Sequence, residues 1–583
     1  MSTRFSLFIG AVLCACVSPL PPRTDDSSGG TANPGGGSGA SLEGGSGGAP
    51  NGNAGQSGDA RSSGGRASAG GTFNPQGGTR TTTTEATSGG ARGGTSGEDA
   101  GQGGDTEASG GRASGGATAG GTSTGGMSSG ATAAGGATGG TAGQNGLGGD
   151  NFGGTNASGG DAGSLSEGGS TGSIEILPRA TANLFVTLLD EDPAQVEAKV
   201  STAVNRFFGI GTGEKNELIV NTGYRCYFEL PQNPELAFIW APDTNDIRSE
   251  GMSYGMMIAV QMNLQTPFDK LWRFAKTKMQ YTADTDPPAW RYYFRWQSIQ
   301  ETGINALDPA LWKIDYNPTT TPAPDGEEYF AAALYLAHKR WGSAGAINYL
   351  QEANALASAM LHNASTNDDR HPIIHPTQNM VVFVPYGASN GFTDPSYHLP
   401  AFYELFAERG PQSDRARWKN IAQISRTFLA ASAHPSTGLH PDYATFAGAP
   451  RTAATGDGHD RFKYDAWRVP LNMALDYAWF SADPGLKAQL EKYQAFFTGQ
   501  LVQGNVSNSL FAVDGSAGTG GGSTALTATL AAASLGSAAP NRAQFVRNLW
   551  LVDQQSGKYR YYQQGVYLLG LLATAGKFRT TWE

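Results

Sequence analysis

The first third of this chain lacks almost everything a folded core requires. All 11 tryptophans, all 21 tyrosines and all eight histidines lie beyond residue 220. From Ser27 to Ser173 the chain is Gly, Ser, Thr, Ala and Asn with almost no aromatics. Such a stretch cannot bury enough apolar surface to offset its ordering entropy, and it is expected to be a disordered tether. Its GGT, SGG and GGA units recur irregularly, which excludes a collagen-like triple helix. A flexible chain of this kind, ~145 residues long, has a root-mean-square span of ~60–70 Å.

Cysteine is scarce as well. Only Cys14, Cys16 and Cys226 occur, too few for a disulfide framework. Cys226 is expected to be a buried structural residue. Long apolar runs are missing too. The longest near the start, Phe5 to Leu13, is too short to span a membrane. It follows Arg4 and ends in Leu13-Cys14-Ala15-Cys16, which resembles a bacterial lipobox with cleavage before Cys16. The plainer alternative is an ordinary signal peptide, and either one exports the protein. With 40 basic against 50 acidic residues the net charge is −10. Nothing in that balance suggests a nucleic-acid partner.

Beyond residue 180 the pattern turns helical. Apolar residues recur at three and four spacing, interrupted by Gly, Pro, Asn and Asp. Twelve segments are expected, at about 191–208, 250–264, 267–281, 326–341, 345–363, 397–409, 412–431, 465–481, 484–501, 523–536, 540–551 and 560–575. Short connections alternate with long ones such as 209–249, 282–325, 364–396 and 432–464. Short turns join antiparallel neighbours. Six hairpins of this kind can close into a double ring, an all-α (α/α)6 barrel. The long loops would then gather at the N-termini of the even-numbered helices, where a rigid scaffold carries function. No fixed-length repeat supports a solenoid instead.

Three acids stand at the starts of even-numbered helices: Glu250 in DIRSEGMSYGMM, Asp325 in APDGEEYFAAAL and Asp465 in FKYDAWRVPLNMALDY. Taken singly, each is what the helix dipole favours in a first turn. Taken together they would face one rim, beside Arg248, Tyr254, Tyr329, Tyr464, Trp467 and Arg468. Carboxylates and aromatic faces in one cleft are what cleavage of a sugar bond requires. Glu327 and Glu328 follow Asp325, and at least one of them is expected to be solvated or salt-bridged. His371 and His375 share an i, i+4 spacing, but Pro372 and Pro376 argue against a chelating helix, so no metal or other cofactor is expected.

RSEGMSYGMM, PDGEEYFAAAL and YDAWRVPLNMALDY resemble the signature blocks of glycoside hydrolase family 8. PSYHLPAFYELFA and STGLHPDYATFAG are similar to further blocks of that family, in the same order. The resemblance covers about residues 190–575 and is nearest to the reducing-end xylose-releasing exo-oligoxylanases. It implies an (α/α)6 barrel and an inverting mechanism on β-1,4-xylosidic bonds in xylooligosaccharides or xylan. Glu250 would be the general acid and Asp465 the general base. Asp325 would hold sugar hydroxyls, and Tyr397 would stand near the base and its water. Arg248, Tyr464 and Arg468 would be substrate-orienting neighbours.

Two departures matter. The loop from Trp290 to Pro324 is longer than in those exo-enzymes. They also carry a histidine near the start of the tenth helix, where this chain reads VDGSAGTGGGSTALTATL. Endo-acting family 8 hydrolysis of cellulose or mixed-linkage glucan is the alternative within the class. A non-catalytic surface carbohydrate-binding protein is the alternative outside it. The expected organisation is a signal peptide and lipobox over 1–16, a linker over 17–179 and a catalytic domain over 180–583. The partners expected are an oligosaccharide or polysaccharide and, through lipid on Cys16, the cell-envelope membrane.

Overall fold

The computed structural model describes residues 179–211, 222–282, 288–300, 314–316, 320–452, 458–480 and 483–582. The expected lipobox at Cys16 and the tether up to residue 178 lie outside the described residues.

A short helix α1 (Leu184–Leu189) leads into α2 (Pro193–Phe208). Five hairpins follow. They pair α3 (Ser249–Gln261) with α4 (Gln265–Phe274), α5 (Pro324–Trp341) with α6 (Tyr349–His362), and α7 (Pro400–Arg409) with α8 (Arg415–Ser432). The last two pair α9 (Val469–Phe480) with α10 (Pro484–Thr498), and α11 (Thr524–Ala532) with α12 (Arg542–Leu551). Helix α13 (Arg560–Thr574) comes last. Helices α2 to α13 are the twelve expected from periodicity.

Helices α3, α5, α7, α9, α11 and α13 pack side by side in that order, and α13 returns against α3, so the inner ring closes. Its helices are buried over most of their length, with apolar or small residues predominating. Every residue of α3 and of α11 is buried. The outer helices are amphipathic. Helix α2 buries Val196, Val200, Ala203, Val204, Phe207 and Phe208 along one stripe and turns the rest outward. Asp192 and Asp483 cap α2 and α10 through their carboxylates, each just before a proline suited to the first turn.

The long loops are not featureless, which periodicity at helical spacing could not register. They build an antiparallel sheet in the order β1 (Tyr227–Leu230), β2 (Asn233–Ala241), β3 (Asp246–Arg248), β4 (Gln297–Gln300) and β5 (Ile314–Tyr316). Strand β3 runs directly into α3 and delivers Glu250 to the rim. The Ser249 N–H donates to the Trp296 carbonyl at 2.9 Å, and the Trp296 N–H to the Thr321 carbonyl at 3.0 Å. These bonds moor the long 290–324 loop to the start of α3. Cys226 is fully buried, as expected.

The start of the folded body is clipped to its end. Arg179 donates its backbone N–H to the Thr580 hydroxyl at 3.0 Å, and its guanidinium pairs with Glu408 at 2.7 Å. Arg179 is thereby joined to the end of the folded body.

Candidate active site

The first turns of the inner helices supply the site. Glu250 lies in the first turn of α3 and Asp325 in that of α5. Asp465 lies in a 3-10 turn, Tyr464–Arg468, that runs into α9. Tyr397 closes another short turn, Pro395–Tyr397, just ahead of α7. With Arg248, Ser249, Trp296 and Ala323 these four residues line one cleft.

Behind the cleft stands Arg468. One of its terminal nitrogens, Nη1, donates to Glu250 Oε2 at 3.1 Å, to Asp325 Oδ2 at 2.7 Å and to the Tyr254 hydroxyl at 2.6 Å. The other, Nη2, reaches the Ser396 hydroxyl at 2.7 Å and Asp465 Oδ1 at 3.2 Å. The three acids are thus spanned by one guanidinium, each of them nearly buried.

One cation cannot neutralise three buried carboxylates, and excess buried charge is removed by retaining a proton. Burial pushes the Glu250 carboxyl up to about 8, with Asp325 and Asp465 adding to the rise and Arg468 opposing it. Asp325 is also raised, again by burial, against the pull of Arg468. The second oxygen of Glu250, Oε1, accepts from the Tyr561 hydroxyl at 3.0 Å. Gly251 makes that bond possible, since a Cβ there would lie 2.3 Å from the Tyr561 ring. Gly326 does the same for the approach of α5 to α3, where a Cβ would lie 2.6 Å from the Ser249 hydroxyl.

A sequence profile of the Glycosyl hydrolases family 8 matches residues 239–576, more than half of the chain. The chain belongs to glycosyl hydrolase family 8. It is therefore an inverting glycoside hydrolase that takes oligosaccharide substrates, and its double ring is the family's (α/α)6 barrel. The reducing-end xylose-releasing exo-oligoxylanase Rex8A of Paenibacillus barcinonensis is 36% identical over 366 residues, 61% of this chain and 87% of that protein. The structure of Rex8A complexed with xylose superposes with a TM-score of 0.58 at 34% identity, covering 69% of this chain and 98% of that one. A catalytic mutant of a family 8 xylanase from Teredinibacter turnerae, in complex with xylohexaose, has a TM-score of 0.60 at 36% identity. It covers 68% of this chain and 97% of that one.

Within this family 8 enzyme, Arg468, expected as a substrate-orienting neighbour, is buried and joins the three acids. One sequence expectation is corrected. Glu327 and Glu328 are neither solvated nor salt-bridged, because α5 is an inner-ring helix with no wet face. Glu327 Oε1 accepts the Phe294 N–H at 2.9 Å, and Glu328 Oε1 accepts the Tyr403 hydroxyl. Burial raises both carboxyls well above the usual range. Tyr464 is half-buried against Trp467 and is not among the cleft-lining residues. Arg248 does line the cleft, with its charge met by Asp246 at 3.2 Å. Tyr561, Trp296 and Ser396 escaped the sequence reading. The tyrosine-rich start of α13, RYYQQG, was the available signal for the first, and the long 290–324 loop for the second.

Proposed function

We propose that this enzyme hydrolyses β-1,4-xylosidic bonds in xylooligosaccharides or xylan, with Glu250 as general acid and Asp465 as general base. The observation that carries the reading is the convergence of Glu250, Asp325 and Asp465 on Arg468, and burial, which raises the Glu250 carboxyl, favours a proton there. Contacts of 3.1 and 3.2 Å to the two terminal nitrogens of one guanidinium bring Glu250 and Asp465 to one site. Glu250 protonates the departing oxygen, and Asp465 takes a proton from the water that attacks the opposite face of the sugar. Asp325 holds hydroxyls of the sugar at the cleavage position. Tyr397, whose ring lies 5.5 Å from the Arg468 guanidinium, flanks the water. The choice of xylose follows from relatives named for xylose release and xylan cleavage. The pH profile is a direct test. A general acid works only while protonated, so kcat/KM should fall as pH rises through about 8, by a limiting ~10-fold per unit. A profile flat to pH 10 would remove Glu250 from the role.

Reducing-end selection should be weaker here than in the exo-enzymes. The segment before α11 carries glycines with positive φ at Gly515, Gly520 and Gly521 and no imidazole. End-labelled xylotetraose should give products from more than one bond. Release of a single reducing-end xylose per event, and nothing else, would contradict this.

The export reading is also a proposal. Its support is the Leu13-Cys14-Ala15-Cys16 sequence and the Gly-rich stretch after it. Lipid on Cys16 would hold the enzyme at the cell envelope. Cys16→Ser should release the protein from the membrane fraction or block its processing. Wild-type protein recovered soluble, with a free N-terminus beyond residue 16, would refute the anchor.

A further inference from the structure

Asp465 sits in a strained turn, and the peptide groups on both sides of it are held. Tyr464, just before it, has φ +31°, a left-handed value that an aromatic residue takes only when its surroundings impose it. The peptide preceding Asp465 offers the Tyr464 carbonyl, which accepts from the Tyr562 hydroxyl at 2.9 Å. The peptide following it offers the Ala466 N–H, which donates to Asp442 Oδ1 at 3.1 Å and to the Lys463 carbonyl at 2.9 Å.

Asp442 is itself oriented. Its other oxygen, Oδ2, joins His459 Nδ1 at 2.9 Å. The His459 ring lies flat on Tyr443, with centroids 4.0 Å apart and planes 6° from parallel. Backbone bonds from Asp442 N–H to the Arg461 carbonyl and from Tyr443 N–H to the His459 carbonyl, 2.9 and 2.8 Å, fix the two segments together. Both Asp442 and His459 are buried, and neither lines the cleft. Burial, and next the Asp465 carboxyl, raise Asp442 well above the usual carboxylate range. A buried acid beside another acid is costly to keep, and the barrel would fold more simply with an apolar pair at these positions.

We propose that Asp442 and His459, together with Tyr562, are positioning residues for the base. His459 fixes the Asp442 carboxyl, Asp442 fixes the peptide after Asp465, and Tyr562 fixes the peptide before it. The turn then keeps its strained form and aims the Asp465 carboxylate at the attacking water. The proposal rests on reading Asp465 as the base. A misaim of about 1 Å costs such a group ~10²-fold in rate.

The test uses the full chain with three variants. His459→Phe keeps the stack on Tyr443, Asp442→Asn keeps the shape, and Tyr562→Phe removes one hydroxyl from a half-buried ring. On xylotetraose, kcat should drop ~10–100-fold in the first two and by a smaller factor in Tyr562→Phe. KM should stay within about twofold, because binding is untouched. The discriminating measurement adds sodium azide to dinitrophenyl β-xylobioside. Azide attacks the anomeric carbon as the bond to the aryl oxygen breaks, and the aryl group leaves as the phenolate. Azide carries no proton to remove, so the base is not needed. Azide should therefore restore turnover in all three variants and yield the glycosyl azide of inverted configuration.

Asp465→Ala is the separate control. If it keeps wild-type activity, or azide fails to rescue it, the base assignment is wrong. If azide rescues Asp465→Ala while the three variants keep wild-type kcat, or lose it without azide recovery, the positioning proposal is overturned. Should Asp442→Asn fail to fold, His459→Phe and Tyr562→Phe decide the matter by the same readout.

Discussion

Glu250→Gln should leave a folded enzyme that binds xylooligosaccharides and does not cut them. The amide matches the carboxylic acid in shape and can still accept from Tyr561, but it has no acidic proton for the leaving oxygen. A positioned general acid contributes ~10²–10⁴ in rate, and this site should fall at the upper end, ~5 kcal/mol of barrier. An aryl leaving group with a low pKa needs little protonation, so its hydrolysis should suffer far less wherever the aryl ring fits the cleft. Near-wild-type rates on xylotetraose would rule the assignment out.

The same substitution carries a stability signature. The Glu250 carboxyl is raised in the fold, from an ordinary 4.5 to about 8. The native state therefore holds a proton that the unfolded chain has lost between those values, and wild-type stability falls as pH rises through that window. Glutamine does not titrate. The melting temperature of Glu250→Gln relative to wild type should climb between pH 4.5 and about 8 and level off above it. A difference independent of pH would show that Glu250 titrates as an ordinary exposed acid.

Asp465→Asn should be the second large effect, and its pattern differs. Water must be deprotonated whatever departs, so xylotetraose and the aryl substrate should lose activity together, by ~10²–10⁴-fold. Arg468 keeps its bonds to Asp325 and to the Glu250 carboxyl, so the inner ring should stay folded. For the wild type, the first-formed product should carry the inverted anomeric configuration, observable by NMR before mutarotation. Activity on the aryl substrate that survives in Asp465→Asn while xylotetraose hydrolysis is lost would transfer the acid role to Asp465.

Much of the barrel was legible in the chain because its signal is periodic. The inner helices show as unbroken apolar or small runs, as in MMIAV and AAALYLA, and the outer ones as stripes. The alternation of short and long connections announced the five hairpins. The acids were legible through position, because each opens a helix whose neighbours in sequence are aromatic or basic. What escaped was whatever depends on closure. Tyr561 is 311 residues from Glu250, and only the return of α13 against α3 brings them together. The five-stranded sheet was missed for another reason. Strands β3 and β5 have three residues each, below the length at which alternation stands out, and the nine-residue β2 is buried without alternation over its last six.

The clip between Arg179 and Thr580 has an orientational consequence. Helix α13 starts beside Glu250 and runs 15 residues away from it, a rise of ~22 Å. Residues 575–580 continue past that far end and pair with 179–183. The polypeptide therefore enters the barrel on its underside, while the acids open on the top. The folded body thus begins on the face away from the acids, and its first described residue lies out of the path of a long substrate chain.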